Sequence, residues 1–168
     1  MSYEARLTDL DNIEETLSGE DLELIRKVMP RVDNFVRSTE ILDTIVARYF
    51  ADGLIDKAMV FQYVGRAYGE EDTKWWVIVG DLPPFMDSAL DGETAVDAVH
   101  NYCHFMKLIL DEPDLENPTQ ELPPFCYGYS TKKMERTPEI IAMVRGRLKF
   151  LENSLIPWML SGSYPKDW

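Results

Sequence analysis

The sequence predicts an α+β fold, a mainly helical single domain spanning residues 1–168 and packed on a small antiparallel β-hairpin sheet. Three observations carry this expectation. Apolar residues recur at helical three- and four-residue steps in several segments. One stretch changes to β-rich runs joined by a short polar turn containing glycine. The chain has 168 residues, 45% of them hydrophobic, which suits one domain able to bury a core without a staple. About five or six helices around a two- or three-stranded sheet would use this material.

The first helix is expected to start near Ser18, whose hydroxyl can cap the turn, with Asp21 at the third helical position. Leu22, Ile25, Met29, Val32 and Val36 then form one apolar stripe. Pro30 interrupts it. A mid-helix proline costs ~3 kcal/mol, so a kink or two short helices is expected there. Upstream, Leu7, Leu10, Ile13 and Leu17 hint at another short helix. A further helix is expected from Thr39 to Asp52, stopping at Gly53, with Ile41, Leu42, Ile45, Val46, Tyr49 and Phe50 buried.

The period then switches. Met59, Phe61 and Tyr63 alternate with Val60, Gln62 and Val64. After Gly69-Glu70-Glu71-Asp72-Thr73 comes the run Lys74 to Gly80. This pair of runs reads as a β-hairpin, the most specific local signal in the chain. Asp81-Leu82-Pro83-Pro84-Phe85 and its echo Glu121-Leu122-Pro123-Pro124-Phe125 read as rigid, extended connectors, because proline fixes its own φ and restricts its neighbour. Glu93 to Asp111 reads as a long amphipathic helix, and residues 112–136 as irregular. Thr137-Pro138-Glu139 is a helix start: a cap, a proline at the first position, then an acid. Ile140, Ile141, Val144, Leu148, Leu151 and Leu155 form its stripe, and Pro157 is expected to end it.

Charge narrows the function classes. The formal net charge is −13, with −7 in residues 1–24 and −11 in residues 70–121, while the remaining segments are neutral or slightly basic. Such a field repels nucleic acid and anionic membranes and attracts basic proteins or cations. No apolar run approaches the ~20 residues of a membrane helix. The start MSYEARLTDLDNIEE has neither a basic region nor an apolar core, and Cys103 and Cys126 are the two cysteines. A cytoplasmic location is therefore expected.

Chemistry-bearing patterns are sparse. His100, Cys103 and His104 have helical spacing, with Cys126 or Asp97 as conceivable fourth ligands for zinc. Cys103 belongs to the apolar stripe and both histidines to the polar one, so no metal or other cofactor is expected. No G-x-S-x-G elbow, G-x-G-x-x-G loop, P-loop or H-E-x-x-H is present, and Ser130 lacks the flanking glycines of an elbow. Asp81, after Gly80 at a strand end, is the best single acid–base candidate. Its competing role is that of a turn-forming aspartate.

Contact features are clearer. Trp75 and Trp76 are adjacent in a strand, so one side chain points to each face, and Trp76 is expected at a partner contact. Trp158, Tyr164 and Trp168 pose the same choice between core and interface. The acids Glu70, Glu71 and Asp72 of the turn, and Asp111, Glu112, Asp114 and Glu116 of a proline-stiffened segment, are the other expected contacts.

The run Trp75-Trp76-Val77-Ile78-Val79-Gly80-Asp81-Leu82-Pro83, followed by an amphipathic helix, resembles a motif in small acidic bacterial families of unknown function. The overall profile of size and charge resembles bacterial immunity proteins. The resemblance implies a non-enzymatic, acidic inhibitor or antitoxin that masks a basic protein partner such as a toxin domain; from the charge, no nucleic-acid or membrane partner is expected. The alternatives are a small enzyme with a site near Asp81, and a structural or assembly subunit.

Overall fold

An antiparallel meander of five strands organises the chain, in spatial order β1-β2-β3-β4-β5. The computed structural model describes residues 7–15, 19–54, 57–67, 69, 71–111 and 137–165. The strands are β1 (Thr8–Asp9), β2 (Thr44–Leu54), β3 (Ala58–Arg66), β4 (Asp72–Gly80) and β5 (Leu82–Ser88). The helices are α1 (Glu20–Ser38), α2 (Ala95–Asp111), α3 (Pro138–Phe150) and α4 (Ile156–Ser161). The fold is α+β, but its centre is a five-stranded sheet instead of the expected hairpin under a mainly helical shell.

Alternation across the strands builds two cores, one on each face of the sheet. Ala58, Val60, Trp76, Ile78 and Leu82 face α2, α3 and α4. Met59, Phe61, Tyr63, Val77 and Val79 face α1, which contributes Ile25, Val28, Val32 and Val36. With helices on both sides, the central strand β3 is buried on both faces, which explains its nearly unbroken apolar run. The β3–β4 hairpin has the expected partners, with Arg66 opposite Asp72 and Tyr63 opposite Trp75.

Three expectations are corrected. Residues from Thr44 to Leu54 form strand β2 where a helix over Thr39–Asp52 was expected. Two register shifts, between Ile45 and Ala47 and between Phe50 and Asp52, each insert a residue into this strand. Bulges of this kind change the face of every following side chain. The first of them brings Ile45 and Phe50, five residues apart, to the same core. Apolar pairs recurring every four residues thereby imitate a helical stripe, while Ile45, Val46, Tyr49 and Phe50 keep the residue types that strands favour. The segment expected as a Pro-Pro connector is strand β5, paired with β4 through Phe85 opposite Ile78. Proline is compatible with a strand that has a neighbour on one side only. Pro157 does not end the last helix. A π-helical turn over Leu151–Leu155 follows α3 and leads into α4, where Pro157 sits in the first turn and needs no donor.

Other elements differ in detail. α1 continues through Pro30, which faces solvent, while the stripe on either side packs on the same sheet face. Its cap position is Gly19, with no side-chain cap, and the expected capping Ser18 and the stripe residue Leu17 lie outside the described residues. The upstream segment forms β1 and a short 3-10 turn at Ile13–Glu15, with Leu10 and Ile13 buried against α1. The start of α3 is as expected, with the Thr137 hydroxyl accepting the Ile140 N–H at 3.3 Å.

Gly80 closes the β4–β5 corner. Its φ is +149°, and a Cβ there would lie 2.2 Å from the Lys57 carbonyl oxygen. Both sheet edges are blunted: β5 carries Pro83, Pro84 and Asp87, and the outer part of β2 carries a bulge at Val46.

Candidate functional site

The expected contact residues do not form one surface. Asp72 starts β4, and its carboxylate accepts from Arg66 Nε at 2.7 Å. Asp111 ends α2 and is paired with Arg145 at 2.7 Å. The N-terminal end of α2 lies beside the first half of β4, because Trp76 Nε1 donates to Glu93 and the Ala89 N–H donates to the Lys74 carbonyl. Asp111 is therefore at the far end of a 17-residue helix, ~25 Å along its axis. Glu71 is exposed near Asp72, while Glu70, Glu112, Asp114, Glu116, Cys126, Ser130, Trp168 and the string 121–125 lie outside the described residues.

Trp76 is corrected from contact to core. It is 3% exposed and belongs to the cluster beneath α2. Its indole N–H reaches Glu93 Oε2 at 3.1 Å. Trp75, on the opposite face, is half-buried against the α1 side and donates to Thr73 Oγ1 at 2.8 Å. Trp158 and Tyr164 are half-buried around the π-helical turn and α4, and the Tyr164 hydroxyl donates to buried Asp52.

The fold places several exposed acids on adjoining elements. Glu71 precedes β4, Asp87 lies on β5 opposite Trp76, Asp91 is in the following loop and Asp97 is on α2, and all four are exposed. Among the described residues, no ion pair engages any of these four. Glu93 sits behind them and is structural, accepting from Trp76, from the Leu90 N–H at 3.0 Å and from Asn101 Nδ2 at 2.6 Å. Asp97 accepts the Thr94 N–H at 2.9 Å and the Thr94 hydroxyl at 2.6 Å, forming a capping box at the start of α2. The Thr94 hydroxyl, with its backbone N–H, holds the Asp97 carboxyl below its ordinary 3.8. The signal for this cluster was the −11 charge of residues 70–121; what the sequence alone lacked was the turn from β4 into β5 and α2 that brings its members together.

Asp81 is locked. Arg147 Nη2 lies 2.5 Å from its carboxylate, Arg147 Nε donates to its carbonyl at 3.0 Å, and its own N–H donates to the Lys57 carbonyl at 2.8 Å. The adjoining cavity, ~190 Å³, is lined by Lys57, Asp81, Leu82, Arg147 and Phe150. Among the described residues, that lining offers no second carboxylate, hydroxyl or thiol to work with Asp81.

A larger open cavity of ~410 Å³ lies between the Leu10–Glu14 segment, α1 and Arg48 of β2. At its base the Tyr63 hydroxyl donates to Asp33 Oδ1 at 2.7 Å, and Arg48 donates to Asp33 Oδ2 at 2.8 Å and to Asp11. Burial, then the bond to Asp33, pushes the fully buried Tyr63 phenol far above its ordinary range. It stays a donor, and the network satisfies itself. Arg26 and Glu14 pair across the mouth.

Cys103 is buried, and desolvation pushes its thiol up to about 12, so it is protonated at neutral pH and poor as ligand or nucleophile. His100 and His104 are exposed on the other side of α2. Among the described residues, no three His, Cys, Asp or Glu side chains converge as metal ligands. No described helix is long and apolar enough to cross a membrane. Compared with known proteins, the chain matches no family model, no curated protein and no solved structure.

Proposed function

We propose that this chain is a non-enzymatic protein-binding inhibitor of the immunity or antitoxin kind, masking a basic partner through the acidic end of its sheet. One observation carries the reading: Glu71, Asp87, Asp91 and Asp97, on adjoining elements around β4, β5 and the start of α2, are exposed with no ion pair of their own among the described residues. Carboxylates left unpaired at a surface keep their field for a partner, whereas Asp72 and Asp111 spend theirs on Arg66 and Arg145. The acid–base reading at Asp81 is weaker, since Arg147 already occupies that carboxylate.

The test is affinity capture from the native host with the wild-type chain and with a Glu71→Gln/Asp87→Asn/Asp91→Asn variant. The proposal expects a basic protein recovered by the wild type and lost from the variant. Recovery of the same protein by both, or of an acidic one, would overturn it.

A further inference from the structure

We infer that the partner docks on the outer side of α2, where an apolar ridge accepts a basic amphipathic helix. The inference rests on the reading above and adds what that reading lacks, an anchor. Phe105 is 45% exposed and Leu108, three residues on, is 50% exposed. Among the described residues, they form the one neighbouring pair on a single helix among the large exposed apolar residues. Phe105 is not an isolated surface ring. Its centroid is 5.2 Å from that of Phe85 on β5, which in turn lies 5.6 Å from the buried Tyr102. The ridge is thus continuous with the core and rigidly mounted, which keeps the entropic cost of docking low. Aromatic side chains set in such a place are the usual anchors of an interface.

Charge around the ridge says what covers it. Asp87 lies two residues beyond Phe85 on the same side of β5. Asp97 and Asn101 precede Phe105 at four-residue steps on α2, so one carboxylate of the acidic end stands in line with the apolar pair. Asp111 follows Leu108 by three residues, but Arg145 already neutralises it, so the free charge beside the ridge comes from Asp87 and Asp97. An apolar centre with these carboxylates on one side fits a partner with leucine-like anchors beside lysines or arginines. A helix suits the site better than an added strand. Pro83 and Pro84 leave the outer edge of β5 without donors there, while residues 105 and 108 present a ridge that a helix can straddle.

The experiment uses the full chain and two labelled synthetic peptides of identical leucine and lysine content. One is arranged as an amphipathic helix; the other is scrambled so that it has no apolar face. Fluorescence anisotropy reads both affinities, and sedimentation reads the oligomeric state. The inference expects the arranged peptide to bind more than about tenfold tighter than the scrambled one. It expects Phe105→Ser/Leu108→Ser, and to a smaller degree Leu108→Ser alone, to remove that preference while the scrambled peptide binds as before. Equal affinity for the two peptides overturns the inference but leaves the acidic docking surface standing. Failure of both peptides to bind overturns both. A dimer that the double variant abolishes puts a second copy of this chain on the ridge, and likewise overturns it.

Discussion

Replacing Tyr63 with phenylalanine tests the polar network that ties α1 to the sheet. The ring is fully buried and would stay so, leaving no cavity of consequence. What disappears is one hydroxyl bond of 2.7 Å to Asp33, whose side chain is 16% exposed. A hydrogen bond to a charged group contributes ~1.5–3 kcal/mol. Arg48 still engages the other oxygen at 2.8 Å, so the low end of that range, ~1.5–2 kcal/mol, is the expected loss. At roughly 2–4 °C per kcal/mol for a chain of this size, Tm should fall by about 3–8 °C. Scanning calorimetry gives the Tm, and urea unfolding should show a lower midpoint at an unchanged slope. Asp33→Ala should cost more, because it leaves the buried Tyr63 hydroxyl without its acceptor and Arg48 with Asp11 alone. A Tyr63→Phe variant as stable as the wild type would refute the reasoning, by showing that the hydroxyl gains nothing over water.

Three further outcomes follow from the same physics. Gly80→Ala should destabilise by about 2–4 kcal/mol, read by urea unfolding, because an added Cβ meets a backbone carbonyl at a φ of +149°. Thr94→Ala should cost ~1 kcal/mol at neutral pH. Because Asp97 is held below 3.8 in the fold, its contribution is present above that value and is lost as pH falls through the lowered one; in Thr94→Ala this acid-side loss should shrink in a pH series of unfolding curves. In a Cys126→Ser background, Cys103 should resist a thiol reagent at pH 8 and react at once in denaturant, given a thiol pushed up to about 12.

The legible parts of this fold are those whose period is undisturbed. The β3–β4 hairpin, the stripe of α2 and the Thr137-Pro138 start of α3 are all visible as residue patterns because local and tertiary preferences agree there. β2 was hidden by its two bulges, which re-phase an alternation of two into one of four. β5 was hidden by Pro83 and Pro84, which exclude a central strand but not an edge. The candidate site was legible as net charge and illegible as geometry. Asp87, Asp91 and Asp97 come to lie on adjoining elements only because β4 turns back into β5, and the loop after β5 leads into α2. Trp76 reads as a contact because a tryptophan pair in a strand must show one face each way; the cluster beneath α2 buries Trp76, while Trp75 packs on the α1 side.

The account depends most on attraction between the unpaired carboxylates and a cationic surface. The direct measurement is the association rate of the captured basic protein, by stopped flow, from low to high salt. The account predicts a rate that falls steeply as the Debye length shrinks from about 30 Å to a few ångströms, and a slower, flatter dependence for Glu71→Gln/Asp87→Asn/Asp91→Asn. A rate indifferent to salt, or one that the variant shares with the wild type, would contradict it.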